Sequence, residues 1–415
     1  MSSPIEHVVV LMMENHSFDH MLGWLPGVGD LPPSSGTQPT KGASFTTVPC
    51  PLHALGNVLR QMYGPRGAQQ PLTMDGFVFD YASGTNLGNY NPGIGPGDQD
   101  AGTQATLMGC YTPDQLPALS ALATSFTTCT RWFCSVPGPT GPNRLFVNCA
   151  SSGGYAGPGY LAIDGGNSYP AIPAQAATNI GNANLFQALL NVELTFAVYH
   201  EDTTFAPELI LPVVANAGTN YTDPMFVTLK QNIDAGALET YTFITPQLFP
   251  HSQHASADVR DGDALIGTIY NWLRASSLWE STALVILYDE HGGHWESVGP
   301  PASVVAPDSF GWNEAAGFFD YATPEFDFTS LGPRVPAVIV SAYTPARVDD
   351  TVYEHSSVPA TMTKLFGTTS LSARDQAAAS FDGNFSLTAP RGDAPLSVPL
   401  PSGDGYTPPS FGQSS

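Results

Sequence analysis

The chain has 415 residues, with 36 acidic against 13 basic side chains and a formal net charge of −23. Phosphate backbones need a basic face, so this balance argues against nucleic acid as a partner and against an anionic membrane. At 42 % hydrophobic and only 12 % charged, with 41 Gly and 38 Pro, the composition excludes a disordered chain and a helical bundle and describes a loop-rich globular protein with a large core.

Val8–Met13 is a continuous apolar run, read as a strand covered on both faces, and it leads straight into Glu14-Asn15-His16-Ser17-Phe18-Asp19-His20. Residues 27–105 are rich in Gly, Pro and Asn and read as excursions over one rim of the fold. After Ser135-Val136-Pro137-Gly138-Pro139-Thr140-Gly141-Pro142 a short helix is expected over Asn143–Ser151, and Leu194–Tyr199 reads as a weaker strand. Asp258–Leu273 has helical spacing of its apolar residues. Ala283–Tyr288 is a second continuous strand, running into Asp289-Glu290-His291-Gly292-Gly293, and Val335–Ser341 is a third. A helix over Ser357–Phe366 follows, and residues 369–415 read as a tail wrapping on the same domain. The alternation predicts an α/β sandwich with a mainly parallel sheet and ligands at the carboxyl ends of its strands. One catalytic domain, 1–368, is expected, with 369–415 as its tail.

No apolar run approaches the ~20 residues of a membrane span. Met1-Ser2-Ser3-Pro4 lacks a basic n-region, so the chain reads as cytoplasmic as written, or as secreted or periplasmic with its export signal removed. Cys50, Cys110, Cys129, Cys134 and Cys149 cannot all pair and form no CxxC. They read as mostly buried thiols, with one or two disulfides left open.

Glu14-Asn15 and Asp289-Glu290 both stand where a buried strand ends. If those strands are neighbours, one carboxamide and three carboxylates converge, and such a set needs a cation or protons to neutralise it. Thr140 has two readings: a helix cap, or a hydroxyl nucleophile at a helix start, where backbone N–H groups and Arg144 could hold a phosphate. His251/His254, His291/His294 and His16/His20 have spacings that can serve zinc, yet no HExxH or Cys partner accompanies them. Most of these histidines read as rim residues that hydrogen-bond or contact a phosphate. Walker A, GxGxxG and GxSxG patterns are absent.

The blocks ENHSFDHMLG, WFCSVPGPTGPNRLF, DEHGGHWESVGPP and YEHSSVPATMTKLFG resemble, in order, the signatures of the phosphoesterase family of bacterial and plant non-specific phospholipases C and related acid phosphatases. The segments DVRDGDALIGTIYNWLRASSLWESTALVILYDE and FDFTSLGPRVPAVIVSAYTP are similar too, so the likeness runs from Ile5 to about Gly367. It implies a three-layer α/β/α, alkaline-phosphatase-like fold with a divalent metal (Ca, Mg, Mn or Zn) at the strand ends. By motif position Glu14, Asn15, Asp289 and Glu290 would hold the metal. Thr140 would be the nucleophile touching it, His254 the proton donor to the leaving group, and Glu354 and His355 would close the site. His53 is a weaker pocket candidate. Ser297 stands where the family usually has a histidine, while a carboxylate is kept at Glu296.

The expectation is a metal-dependent phosphoester hydrolase with a phosphothreonine intermediate. Its substrate would be a phospholipid such as phosphatidylcholine, reached by transient contact with a zwitterionic interface; the alternatives are an acid phosphatase on small phosphomonoesters and a catalytically silent binding relative. Trp24, Tyr63, Phe77, Phe79, Tyr81, Phe318 and Phe319 are candidates for a lipid-accepting mouth or for loop packing.

Overall fold

The structure is a computed structural model and describes residues 3–29, 31, 39–47, 49–64, 71–83, 106–157, 174–201, 207–222, 225–312, 326–403 and 405–413. Eight strands form one sheet: β1 (His7–Met13), β2 (Thr127–Cys129), β3 (Phe196–His200), β4 (Asn220–Tyr221), β5 (Tyr241–Thr245), β6 (Thr282–Tyr288), β7 (Ala337–Ser341) and β8 (Arg347–Asp349). Their spatial order is β8-β2-β7-β6-β1-β5-β3-β4. His7–Met13 pairs in parallel with Thr282–Tyr288 on one side, and Val8–Leu11 with Tyr241–Ile244 on the other.

Val8–Met13 and Thr282–Tyr288 are buried throughout. Because successive residues of a strand face opposite sides, both faces of the sheet are covered. The principal helices are α1 (Phe18–Leu22), α2 (Leu55–Tyr63), α3 (Pro117–Ser125), α4 (Thr140–Cys149), α5 (Val259–Ala275) and α6 (Ser357–Phe366). They fall into sets: α3 packs on α5, and α4 packs on α6. The mixed α/β sandwich with a mainly parallel sheet is as expected.

Three details differ from the reading of the sequence. β7 runs antiparallel to β6 and to β2, with Ala337 opposite Leu287. A parallel neighbour would need a crossover to the far end of the sheet; an antiparallel one re-enters at the end where Tyr288 leaves it, as the pairing of Ala337 with Leu287 shows. β5 was not legible, because Thr242 and Thr245 interrupt its apolar run although both are buried. α4 begins at Thr140 rather than Asn143, since a Pro in the first turn lacks only an N–H that would be unpaired there.

Two helix starts show how the segments lock together. The Asp258 side chain accepts from Arg260 N and caps α5. Asp263, inside α5, accepts from Ala118 N and Leu119 N at 2.9 Å each, capping α3, whose own N-cap residue Leu116 offers no side-chain bond. Beyond residue 369, Tyr270 Oη donates to Pro395 O at 2.6 Å, and Tyr406 Oη donates to Asp261 Oδ1 at 2.8 Å. All five cysteines are free, so no disulfide forms. Among the described residues no helix is long and apolar enough to cross a membrane.

Candidate active site

The register of β1 and β6 decides where the acidic residues go. Met13 is paired with Tyr288, so the next residues of each strand, Glu14 and Asp289, emerge side by side. Asp289 N donates to Met13 O at 3.1 Å, and Asp289 Oδ1 accepts from Asn15 N (3.1 Å) and Glu290 N (2.7 Å). Asn15 sits at φ +57°, a left-handed conformation that asparagine tolerates better than most residues. Gly292, at φ +64°, packs so closely that a Cβ there would lie 2.1 Å from Asn15 O.

The Asn15 carboxamide has Glu14 Oε2 at 2.9 Å, Asp289 Oδ1 at 3.3 Å and Glu290 Oε1 at 2.9 Å on one side, and His254 Nε2 at 3.1 Å on the other. With its NH₂ turned to the carboxylates it donates to them and accepts from His254. Turned the other way, its oxygen joins three carboxylate oxygens, an arrangement that needs a bound cation or protons on the carboxyl groups. The all-oxygen donor set fits a hard divalent ion, and the spacing matches the about 3 Å between adjacent ligands of an octahedral ion of Mg²⁺ size. His53 supports the same reading. Its Nδ1 lies 2.8 Å from Pro51 O, a carbonyl that can only accept, so Nε2 carries the lone pair and faces Glu290 Oε1 at 3.5 Å.

Burial raises the pKa of Glu14, Asp289 and Glu290, and the Asp289 charge raises both glutamates further, while Arg144 opposes the effect. Arg144, completely buried, donates from Nη2 to Glu14 Oε1 at 2.6 Å and from Nε to Asp289 Oδ2 at 3.1 Å. It therefore serves as the counter-ion of the carboxylates rather than as the phosphate contact expected from the sequence. One guanidinium against three carboxylates leaves a negative excess.

Thr140 opens α4, whose N-cap is Pro139 with no side-chain cap bond. Its Oγ1 is buried and, among the described residues, has no hydrogen-bond partner, so the plain capping role does not apply. Thr140 makes no hydrogen bond to the carboxylates, but in the helix Thr140–Cys149 it precedes Arg144 by one turn and shares its face. Asn143, whose side chain carried no expectation, clamps the preceding loop: Oδ1 accepts from Val136 N at 2.9 Å, and Nδ2 lies 3.1 Å from the carbonyls of Val136, Gly138 and Pro139.

His254 reaches the site through Asn15, and its Nδ1 is buried without a partner among the described residues. His355 stands behind it. Trp132 Nε1 can only donate, so His355 Nδ1 accepts (3.2 Å) and Nε2 donates to Asp289 O at 2.6 Å. Glu354 is one step further out, accepting from Ser135 Oγ and from Ser356 N (2.9 Å), while Ser135 Oγ accepts from His355 N at 3.1 Å. Ser297 belongs to a separate network. Its N and Oγ donate to Asp19 Oδ2 at 2.8 and 2.5 Å, and Arg334 binds Asp19 Oδ1 at 3.0 Å and Glu296 Oε1 at 2.7 Å.

The remaining histidines do not sit open on the rim. His251 pairs with Glu201 at 2.8 Å, and His291 Nε2 meets Gln61 Oε1 at 2.7 Å. His16, His20 and His294 are buried together, and that burial lowers the pKa of His16 to about 3 and those of the other two well below their usual value. Of the rim aromatics, Phe77 and Tyr81 are core residues packed with Val58, Met62 and Met74. Tyr63 packs against them, Phe79 lies under Arg60, and Trp24 takes the Lys41 ammonium at 5.0 Å. Phe318 and Phe319 lie outside the described residues.

Residues 5–369 match the model of the Phosphoesterase family. The chain belongs to that family and is a phosphoric ester hydrolase. It is 32 % identical to non-specific phospholipase C6 of Arabidopsis thaliana over 431 residues, covering 96 % of this chain and 75 % of that protein. It is 28 % identical to phospholipase C B of Mycobacterium tuberculosis, covering 93 % and 78 %. A solved structure of an alkaline phosphatase superfamily protein from Vibrio parahaemolyticus aligns at 13 % identity and a TM-score of 0.40, covering 91 % of this chain and 71 % of that one.

Proposed function

We propose that this hydrolase performs a phospholipase C-type cleavage of phospholipids such as phosphatidylcholine, with Thr140 as nucleophile beside a divalent cation held by Glu14, Asn15, Asp289 and Glu290. The observation that carries the reading is the buried Thr140 hydroxyl at a helix start, without a hydrogen-bond partner among the described residues, one turn before the arginine that grips Glu14 and Asp289. A bound cation supplies positive charge that favours the alkoxide of Thr140 and offsets charge on the phosphoryl oxygens. Thr140 Oγ1, its proton released to solvent, forms the new bond to phosphorus as the bond to the diacylglycerol oxygen breaks, and His254 gives that oxygen a proton that it recovers from the water of the next step. Water then cleaves the threonine phosphoester. The first α4 N–H groups face the phosphoryl oxygens, Arg144 keeps the carboxylates in place, and His355 fixes the Asp289 carbonyl. The relatives named phospholipase C support the lipid substrate.

A second reading, a phosphatase on small phosphomonoesters, is favoured by one feature: Phe77 and Tyr81 are packed in the core instead of lining an open mouth. Assaying phosphatidylcholine vesicles and p-nitrophenyl phosphate side by side, with released diacylglycerol and phosphocholine quantified, separates the two. Turnover of the monoester alone would replace the lipid reading, and cation binding with no turnover of either would make the chain a silent binder.

A further inference from the structure

His16 follows Asn15, His20 lies in α1, and His294 lies in the turn after β6; the sequence pairs them differently from the fold. One ring nitrogen from each falls within 4.8 Å of the other two, and all three residues are at most 1 % exposed. His16 Nδ1 lies 2.9 Å from His20 Nδ1, and the rings of His20 and His294 stack with centroids 4.0 Å apart.

A count of the ring nitrogens shows the cost of this arrangement without an ion. His16 Nε2 faces Gln253 O at 2.8 Å, and a carbonyl can only accept, so this nitrogen carries the hydrogen. His16 Nδ1 is then a lone pair, and His20 Nδ1 must donate to it. That leaves His20 Nε2 and both nitrogens of His294 buried with no partner among the described residues. A buried polar atom left without a partner forfeits its hydration with nothing in exchange, so close packing alone accounts poorly for three of them in one cluster.

We propose that His16, His20 and His294 form a second metal site, separate from the carboxylate site, for one zinc or similar transition-metal ion. Three neutral imidazoles suit such an ion better than the hard cation that the carboxylates fit. The bond from His16 Nε2–H to Gln253 O is the outer contact that orients a metal-binding histidine and leaves Nδ1 to coordinate. Since the cluster is sealed from solvent, the ion enters as the chain folds and exchanges slowly. The H-x3-H pair of His16 and His20 contributes two ligands, and its partner comes from across the fold.

The test is zinc content per chain after expression of the full chain in zinc-supplemented medium and prolonged native dialysis against EDTA. Wild type retains one zinc, Glu290→Gln also retains one, and His294→Phe, which keeps an aromatic ring in the stack and removes nitrogens that have no partner among the described residues, retains none. Equal retention by wild type and His294→Phe, or loss in Glu290→Gln but not in His294→Phe, overturns the proposal. Should His294→Phe fail to fold, wild type refolded with Co²⁺ decides. An intense visible band from low-coordinate, nitrogen-bound cobalt supports the site, and only the weak absorption of an oxygen-bound ion sinks it.

Discussion

Glu14 and Asp289 lie far apart in the sequence and hold the same guanidinium, that of Arg144, at 2.6 and 3.1 Å. With Glu290 nearby, the three carboxylates share one guanidinium, so on the proposed function the arginine and the metal would divide one task of neutralisation. In the metal-free protein Arg144→Met is expected to lose about 3–5 kcal/mol, the range for stripping one partner from a buried ion pair. Adding Ca²⁺ or Mg²⁺ should restore more thermal stability in the variant than it adds to wild type. Equal gains in Tm for both proteins would show that the two charges are not coupled.

Thr140→Ala separates chemistry from folding. Its hydroxyl makes no hydrogen bond among the described residues, so the denaturation midpoint should move by less than about 1 kcal/mol. Phosphoesterase activity should fall below about a thousandth of wild type, the scale of losing a nucleophile. A variant that keeps its activity removes the covalent step.

The role given to His254 depends on the leaving group. Diacylglycerol departs as a poor leaving group and needs a proton, whereas p-nitrophenolate does not. His254→Gln should therefore lose about 10²–10⁴-fold on phosphatidylcholine and far less on p-nitrophenyl phosphorylcholine. Equal losses on the two diesters would reassign His254 to orienting Asn15.

Gly292→Ala tests the backbone support of the site. The added Cβ would meet Asn15 O at 2.1 Å, at a φ of +64° that alanine rarely adopts. Asn15 must shift, so divalent-cation affinity measured by calorimetry should weaken at least tenfold. Unchanged affinity would mean that Asn15 is not a ligand.

The continuous apolar runs of β1 and β6 made those strands, and the polar residues at their ends, readable before any coordinates. The convergence of Glu14, Asn15, Asp289 and Glu290 followed from one assumption, that the two strands are adjacent. β7 was legible as a strand but its reversal was not, because apolar runs carry no direction, and the Thr-containing β5 was missed because a buried threonine resembles an exposed one. The Arg144 role was also hidden, since an arginine next to a helix start suggests an anion whether that anion is substrate or protein. His294 joins His16 only through tertiary packing.

Asp263 gives the fold a pH dependence away from the site. Burial raises its pKa from 3.8 to about 7, and the bonds from Ala118 N and Leu119 N oppose that only in part. A carboxyl group with a raised pKa contributes stability below pH 4 that is lost as pH rises through 7. The loss is on the order of 4 kcal/mol at ~1.4 kcal/mol per tenfold. Urea midpoints measured from pH 4 to 8 should fall for wild type relative to Asp263→Asn, and parallel profiles would refute the assignment.

The strand order has a consequence for biosynthesis. β1 has both its neighbours far downstream, Tyr241 opposite Val8 and Thr282 opposite His7. Met13 and its partner Tyr288 are 275 residues apart, so a ribosome working at 5–20 residues per second supplies that partner about 14–55 s after β1 is made. Throughout that interval Val8–Met13 is an unpaired, sticky apolar segment on a nascent chain, the kind of intermediate that recruits chaperones. The arrangement that brings Glu14 to Asp289 thus delays the assembly of the candidate site until the chain has been made as far as Asp289.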